Sequence, residues 1–175
     1  MTFRVSIVIG NPKPRSRTRT VAEHLVRHLF ADGDYETHVV DLVDYGADLL
    51  TWPNEKVYVV NAKVANSDVA VFASPTYKAT YTGLLKAFLD RYPADGLAGV
   101  TAIPVMTGAG LAHALGPTVN LAPLLAELGA LIPGRGMYFD IQRMDRIDEL
   151  VAAEAKRFSA NLSRLGHVAR HVAAP

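Results

Sequence analysis

Five short, almost wholly apolar runs, each separated from the next by a helix-like stretch, constrain this 175-residue chain more than any other feature. The runs are Phe3–Ile9, His38–Leu42, Val69–Ala73, Val100–Met106 and Met137–Phe139. A strand with one wet face alternates apolar and polar residues. A strand covered on both faces of a parallel sheet does not, and these runs fit the second pattern. Between them, Val21, Leu25 and Leu29 share one helical face, and Asn54–Asn66 is a shorter, weaker helix. Thr82–Arg91 turns Leu84, Leu85, Phe88 and Leu89 inward, with Lys86 and Asp90 paired one turn apart. Leu121–Leu128 is a further helix, and Asp145–Leu165 carries the apolar stripe Ile147, Val151, Phe158, Leu162 and Leu165. Strands alternating with helices predict a doubly wound α/β fold with right-handed crossovers. The length suits a single domain over residues 1–175, with about 167–175 as a frayed tail.

Composition removes several classes. A net charge of +1 makes the chain as a whole no nucleic-acid binder. The absence of cysteine excludes disulfides, thiol catalysis, iron–sulfur clusters and Cys-ligated zinc, and suits a reducing cytoplasm. Met1–Gly10 lacks the pattern of a signal peptide, so none is expected. No apolar stretch reaches the roughly 18 residues of a membrane span.

In a doubly wound sheet, ligands bind beyond the carboxyl ends of the strands. That rule selects three loops, Gly10–Thr18, Ser74–Gly83 and Thr107–His113. The first lies in GNPKPRSRTRT (Gly10–Thr20), a basic, hydroxyl-rich turn that runs into a helix. Helix-start N–H groups lack helical partners and carry partial positive charge. Ser16, Thr18 and Thr20 can donate to the same anion, and Lys13, Arg15, Arg17 and Arg19 add charge. This is the pattern of a phosphate site, although a solvated basic turn that caps a helix would also fit. A Walker loop is absent, and Gly10 alone cannot make a dinucleotide fingerprint. Hydroxyls in place of glycines suit a terminal monophosphate.

The second loop, SPTYKATYTGLLK, has Pro75 directing the chain out of the strand, Tyr77 and Tyr81 offering flat amphipathic faces, and Gly83 permitting close helix approach. Such a loop can border a planar aromatic ligand, and such tyrosines can also be plain packing residues. In the third loop, TGAGLAH, Gly108 and Gly110 leave room for a ring and expose backbone donors.

These three segments, in this order between Phe3 and about Asp140, resemble the NAD(P)H-dependent FMN reductases of the flavodoxin-like superfamily, above all those that supply reduced flavin to alkanesulfonate-type monooxygenases. GNPKPRSRT is similar to that family's phosphate loop, SPTYKATYTGLLKAFLD to its P.Y....G.LK..LD segment, and TGAGLAHAL to its third loop. The resemblance implies a three-layer α/β/α sandwich with a five-stranded parallel sheet in the order 2-1-3-4-5. It implies that Ser16, Arg17 and Thr18 hold the FMN phosphate. Pro75, Thr76, Tyr77 and Lys78 would line the isoalloxazine, with Thr107, Gly108 and Gly110 on its pyrimidine side. His113, in the third loop, would contact flavin or nicotinamide or else pack at a helix start. No protein acid or base is then catalytic, because flavin N5 carries the chemistry with NADPH or NADH as co-substrate. A partner monooxygenase, a cytoplasmic location and a homodimer or homotetramer are further expectations of this kind. Some relatives carry an extra Tyr in the next helix, at a subunit interface; the matching position here is Val119, in GPTVNLAP, where Gly116 and Pro117 disturb the helix start. Asn11 stands where Ser is usual.

Other classes fit less well. His24 with His28 and His167 with His171 have i, i+4 spacing but no HExxH glutamate, so they read as solvated helix faces and no metal is expected. A GxSxG elbow is absent, and the first and third strands end in Gly10-Asn11 and Ser74-Pro75 rather than a receiver domain's carboxylates. A flavodoxin-type electron carrier and a tight-FMN quinone or azo reductase remain as alternatives on the same scaffold.

Overall fold

The first strand shows how the sheet is sandwiched. In the computed structural model, which describes residues 2–173, β1 (Phe3–Ile9) turns Val5, Ile7 and Ile9 to one face and Val8 to the other, and all four are buried. It lies second in a five-stranded sheet, all parallel, in the order β2-β1-β3-β4-β5. The other strands are β2 (Tyr35–Asp41), β3 (Val69–Pro75), β4 (Thr101–Gly108) and β5 (Met137–Asp140). Helices α1 (Arg17–Leu29) and α5 (Ile147–Ala169) cover the Ile7 face through Val21, Leu25, Val151 and Phe158. Helices α2 (Glu55–Ala65), α3 (Gly83–Leu89) and α4 (Ala122–Glu127) cover the other face through Val57, Leu85, Phe88 and Leu125. The expected flavodoxin-like sandwich and strand order are therefore the observed ones.

Element ends differ from the sequence reading for physical reasons. Strand β2 begins at Tyr35, not His38, because it is an edge strand: Glu36 and Thr37 face water yet pair with Arg4 and Val5. Strands β3 and β4 run on to Pro75 and Gly108, since the β3–β4 ladder continues to Pro75 opposite Thr107 and the β4–β5 ladder to Gly108 opposite Asp140. The helix expected at Leu121 starts with a π-helical turn at Pro117–Leu121 that contains Val119. Helix α5 continues to Ala169, so the first residues of the expected tail are helical, whereas Ala174 and Pro175 lie outside the described residues. Close approach of α3 to the sheet falls to Gly10 rather than Gly83: a Cβ on Gly10 would lie 2.6 Å from Leu85 Cβ, and one on Gly83 would meet nothing. Among the described residues no helix is long and apolar enough to cross a membrane.

Candidate functional site at the carboxyl edge of the sheet

The chain crosses from one face of the sheet to the other between its second and third strands, so the loops after β1 and β3 diverge and leave a crevice. The crevice is a cavity of about 500 Å³, walled by Asn11, Lys13–Thr18, Pro75, Thr76, Tyr77, Thr107, Gly108, Ala109 and Ile141. All three selected loops thus open onto one space. Of the candidate residues, Ser16, Arg17, Thr18, Pro75, Thr76, Tyr77, Thr107 and Gly108 lie in its wall. Lys78, Gly110 and His113 do not. Lys78 is exposed at the corner of a turn, and exposed His113 borders a neighbouring depression with Leu111, Leu115 and Val119. Tyr81 packs against the apolar core under α3 rather than on the cavity.

The Ser16–Thr18 part of the wall offers unpartnered donors. Ser16 caps α1: its backbone is extended and its Oγ accepts the Arg19 N–H at 3.3 Å, which leaves the hydroxyl hydrogen free to donate. The first bond inside the helix is Thr20 N–H to Ser16 O at 3.1 Å, so the Arg17 and Thr18 N–H groups have no helical partner. The first turn holds no acid. Arg15 adopts a left-handed φ of 49° just before the helix start. Arg19 is engaged elsewhere, 2.8 Å from Glu23 and 3.7 Å from Asp41, so the charge available here comes from Lys13, Arg15 and Arg17.

Behind this loop runs a chain of buried hydroxyls. Asn11 accepts the Lys13 N–H at 3.0 Å and donates its amide to Thr18 Oγ1 at 3.1 Å. Thr18 Oγ1 lies 2.8 Å from Thr107 Oγ1. With one O–H each and one bond between them, the two threonines keep a single hydroxyl hydrogen for a ligand. The Thr18 side chain therefore joins the first loop to the third, and its backbone N–H is what it offers to an anion. Asp41, at the tip of β2, is the buried carboxylate beneath the loop; burial pushes its carboxyl above the ordinary value, against the pull of Arg19 and the Arg15 and Val43 N–H groups.

The second and third loops are held by paired turns. Tyr77 and Thr80 exchange backbone bonds of 2.8 and 3.2 Å across Lys78 and Ala79, whose φ values of 50° and 72° are those of a type I′ turn without its usual Asn-Gly. The Asn120 amide, from the π-helical turn, supports this corner by donating to Ala79 O at 3.2 Å. Thr76 N–H bonds Thr107 O at 2.7 Å and ties the second loop to the third. The third loop is anchored from β5. Tyr138 Oη donates to Gly110 O at 2.9 Å, and Asp140 Oδ1 accepts both Gly110 N–H and Gln142 N–H at 3.0 Å. Those two N–H groups hold the Asp140 carboxyl below its ordinary value. The Gly110 N–H is thus occupied and does not face the cavity as a free donor. Gly108 has no room for a side chain, since a Cβ would fall 2.2 Å from Tyr138 Oη.

Asp41, Tyr138, Asp140 and Asn120 escaped sequence reasoning. Their only signal is position at or just after a carboxyl strand tip, for Asp41, Tyr138 and Asp140; nothing in the sequence marks Asn120.

The residues fit FMN. The volume is that of a small-molecule site. A free hydroxyl hydrogen and two unpartnered helix-start N–H groups are available to an anion. Thr76 Oγ1 is buried in the same wall without a hydrogen-bond partner, a donor and acceptor available to the polar edge of a ring.

Comparison with known proteins agrees. The profile of the family described as NADPH-dependent FMN reductase matches residues 3–142. An FMN reductase (NADPH) of Pseudomonas putida is 32% identical over 134 residues, 75% of this chain and 68% of that protein. The NADH-dependent FMN reductase SfnF of Pseudomonas putida is 27% identical over 161 residues, 89% of this chain and 87% of that one. The solved apo structure of the NADH:FMN oxidoreductase EMOB superimposes with a TM-score of 0.79 at 30% identity, covering 93% of this chain and 90% of that one. Sheet order, cavity and match together place the chain: it belongs to the NADPH-dependent FMN reductase family, on a flavodoxin-like fold.

Proposed function

We propose that this chain is an oxidoreductase that reduces FMN with a nicotinamide nucleotide and releases the reduced flavin to a partner monooxygenase in the cytoplasm. The observation that carries the reading is a single cavity whose wall holds both the unpartnered donors of Ser16–Thr18 and the buried, unpartnered Thr76 hydroxyl. When bound, FMN supplies N5 as the acceptor of hydride from NADPH or NADH. The protein's part is to bind and orient. Ser16 Oγ–H and the Arg17 and Thr18 N–H groups take the phosphate, with Lys13, Arg15 and Arg17 lowering its energy. Thr76, Tyr77, Thr107 and Gly108 bound the ring. No side chain in the wall need move a proton, since hydride transfer uses none.

An open cavity edged by one half-exposed tyrosine, Tyr77, supports loose flavin binding and a diffusible product. Homo-oligomerisation is part of the same proposal: Leu111, Leu115 and Val119 are 69%, 70% and 57% exposed beside the cavity, which is unusual for a free surface. Quenching of FMN fluorescence on titration with the protein tests the reading, with riboflavin as the phosphate-free control. FMN bound more tightly than riboflavin supports it. Absence of quenching, or equal affinities, contradicts it. Light scattering tests the assembly.

A further inference from the structure

We propose that His24, His28 and Asp148 form a binding site for a divalent transition-metal ion of the zinc type, separate from the flavin cavity. His24 and His28 are one turn apart on α1, so both rings project from one face. The third donor comes from a residue 124 positions beyond His24, at the start of α5. Asp148 Oδ1 lies 2.9 Å from His24 Nδ1 and 3.6 Å from His28 Nε2, and the three donor atoms lie within 4.8 Å of one another.

These separations match a coordination sphere. Ligands at the usual zinc–nitrogen and zinc–oxygen distances, set tetrahedrally, stand about 3.4 Å apart. The two Asp148 distances fall on either side of that value, and the His24–His28 pair lies within 4.8 Å. Little rearrangement is needed, because α1 and α5 are already locked by Val21, Leu25, Val151 and Phe158 beneath the site. Two imidazoles and one carboxylate suit zinc, cobalt or nickel far better than magnesium or calcium. Binding requires neutral rings with lone pairs at His24 Nδ1 and His28 Nε2, so the proton bridging His24 to Asp148 leaves as the metal enters. Asp148 is exposed, and water can fill the fourth position. The neighbouring Glu149 is occupied by Arg146 at 2.9 Å and does not compete.

The site lies about 12 Å along α1 from the Ser16 cap, and none of its residues lines the flavin cavity. It would tie α1, whose start makes the phosphate seat, to α5.

The test is a calorimetric zinc titration of untagged, chelator-stripped, full-length protein near neutral pH, repeated with cobalt to read the visible spectrum. One saturable site in the micromolar range is expected, with a cobalt spectrum of tetrahedral type and a rise in the melting midpoint on adding zinc. His28→Ala and Asp148→Asn should each weaken zinc at least ~10-fold and abolish the rise, with circular dichroism and FMN binding unchanged. His167→Ala with His171→Ala should leave the site intact. Absence of saturable binding tighter than millimolar overturns the proposal. So does binding that survives His28→Ala and Asp148→Asn but disappears with the His167 and His171 changes.

Discussion

Gly108→Ala puts the packing of the third loop at the cavity wall to a quantitative test. The new methyl carbon would lie 2.2 Å from Tyr138 Oη, 3.2 Å from Cζ and 3.3 Å from Thr76 Oγ1, whereas ordinary contact begins near 3.4 Å. The phenol oxygen must therefore retreat by about 1 Å, an overpacking strain of the kind that costs about 1–3 kcal/mol. The same retreat breaks the Tyr138 bond to Gly110 O, worth about 0.5–1.5 kcal/mol. Gly108→Ala should lower stability by the sum of the two and weaken FMN about tenfold or more as the third loop shifts. Tyr138→Phe alone should cost only the hydrogen bond. The double variant removes the colliding oxygen, so adding Tyr138→Phe to Gly108→Ala should restore stability by about 1 kcal/mol or more, a reversal of sign. Denaturant melts of the four proteins, with FMN fluorescence titrations beside them, complete the cycle. A double variant no more stable than Gly108→Ala would refute the steric reasoning.

Three further outcomes are expected. Ser16→Ala removes one hydrogen bond to a charged group, about 1.5–3 kcal/mol, so FMN should weaken at least ~10-fold while riboflavin affinity stays unchanged in the same quenching assay. Replacing Lys78-Ala79, held at positive φ, with Asn-Gly should raise the melting midpoint by a few degrees, roughly 0.5–1 kcal/mol, read by calorimetry. Asp140 is depressed in the folded protein, so its contribution is complete above its unfolded pKa and is lost as pH falls through the lower folded value. Riboflavin, which has no phosphate to titrate, should bind equally from neutral pH down through the ordinary carboxylate range and weaken only below it; Asp140→Ala should bind weakly throughout.

Much of the fold was legible because a buried parallel strand must be apolar on both faces, which makes runs such as VAVFA and FRVSIVI hard to mistake. Tyr35–Thr37 broke that rule, being paired by backbone while exposed at an edge. The candidate anion site was legible as a pattern because its parts are consecutive: cap, helix start and basic turn all fall within Gly10–Thr20. The supports were not. Tyr138 and Asp140 act on Gly110 from about 30 residues away, and Asp41 acts on Arg15 and Arg19 from the next strand. Nor could spacing alone show that Thr18 bonds Thr107, or that Asp140 already occupies the Gly110 N–H. The same distance hid Asp148 from the His24–His28 pair.

The most direct test of the whole account is steady-state oxidation of NADPH and NADH by the purified, flavin-free protein, with free FMN as the acceptor. The expected result is a rate that depends on the protein and saturates with FMN, and that falls for Ser16→Ala through a raised KM for FMN. A protein that oxidises neither nucleotide with FMN present, or that turns over only with a quinone while retaining its flavin, would contradict it.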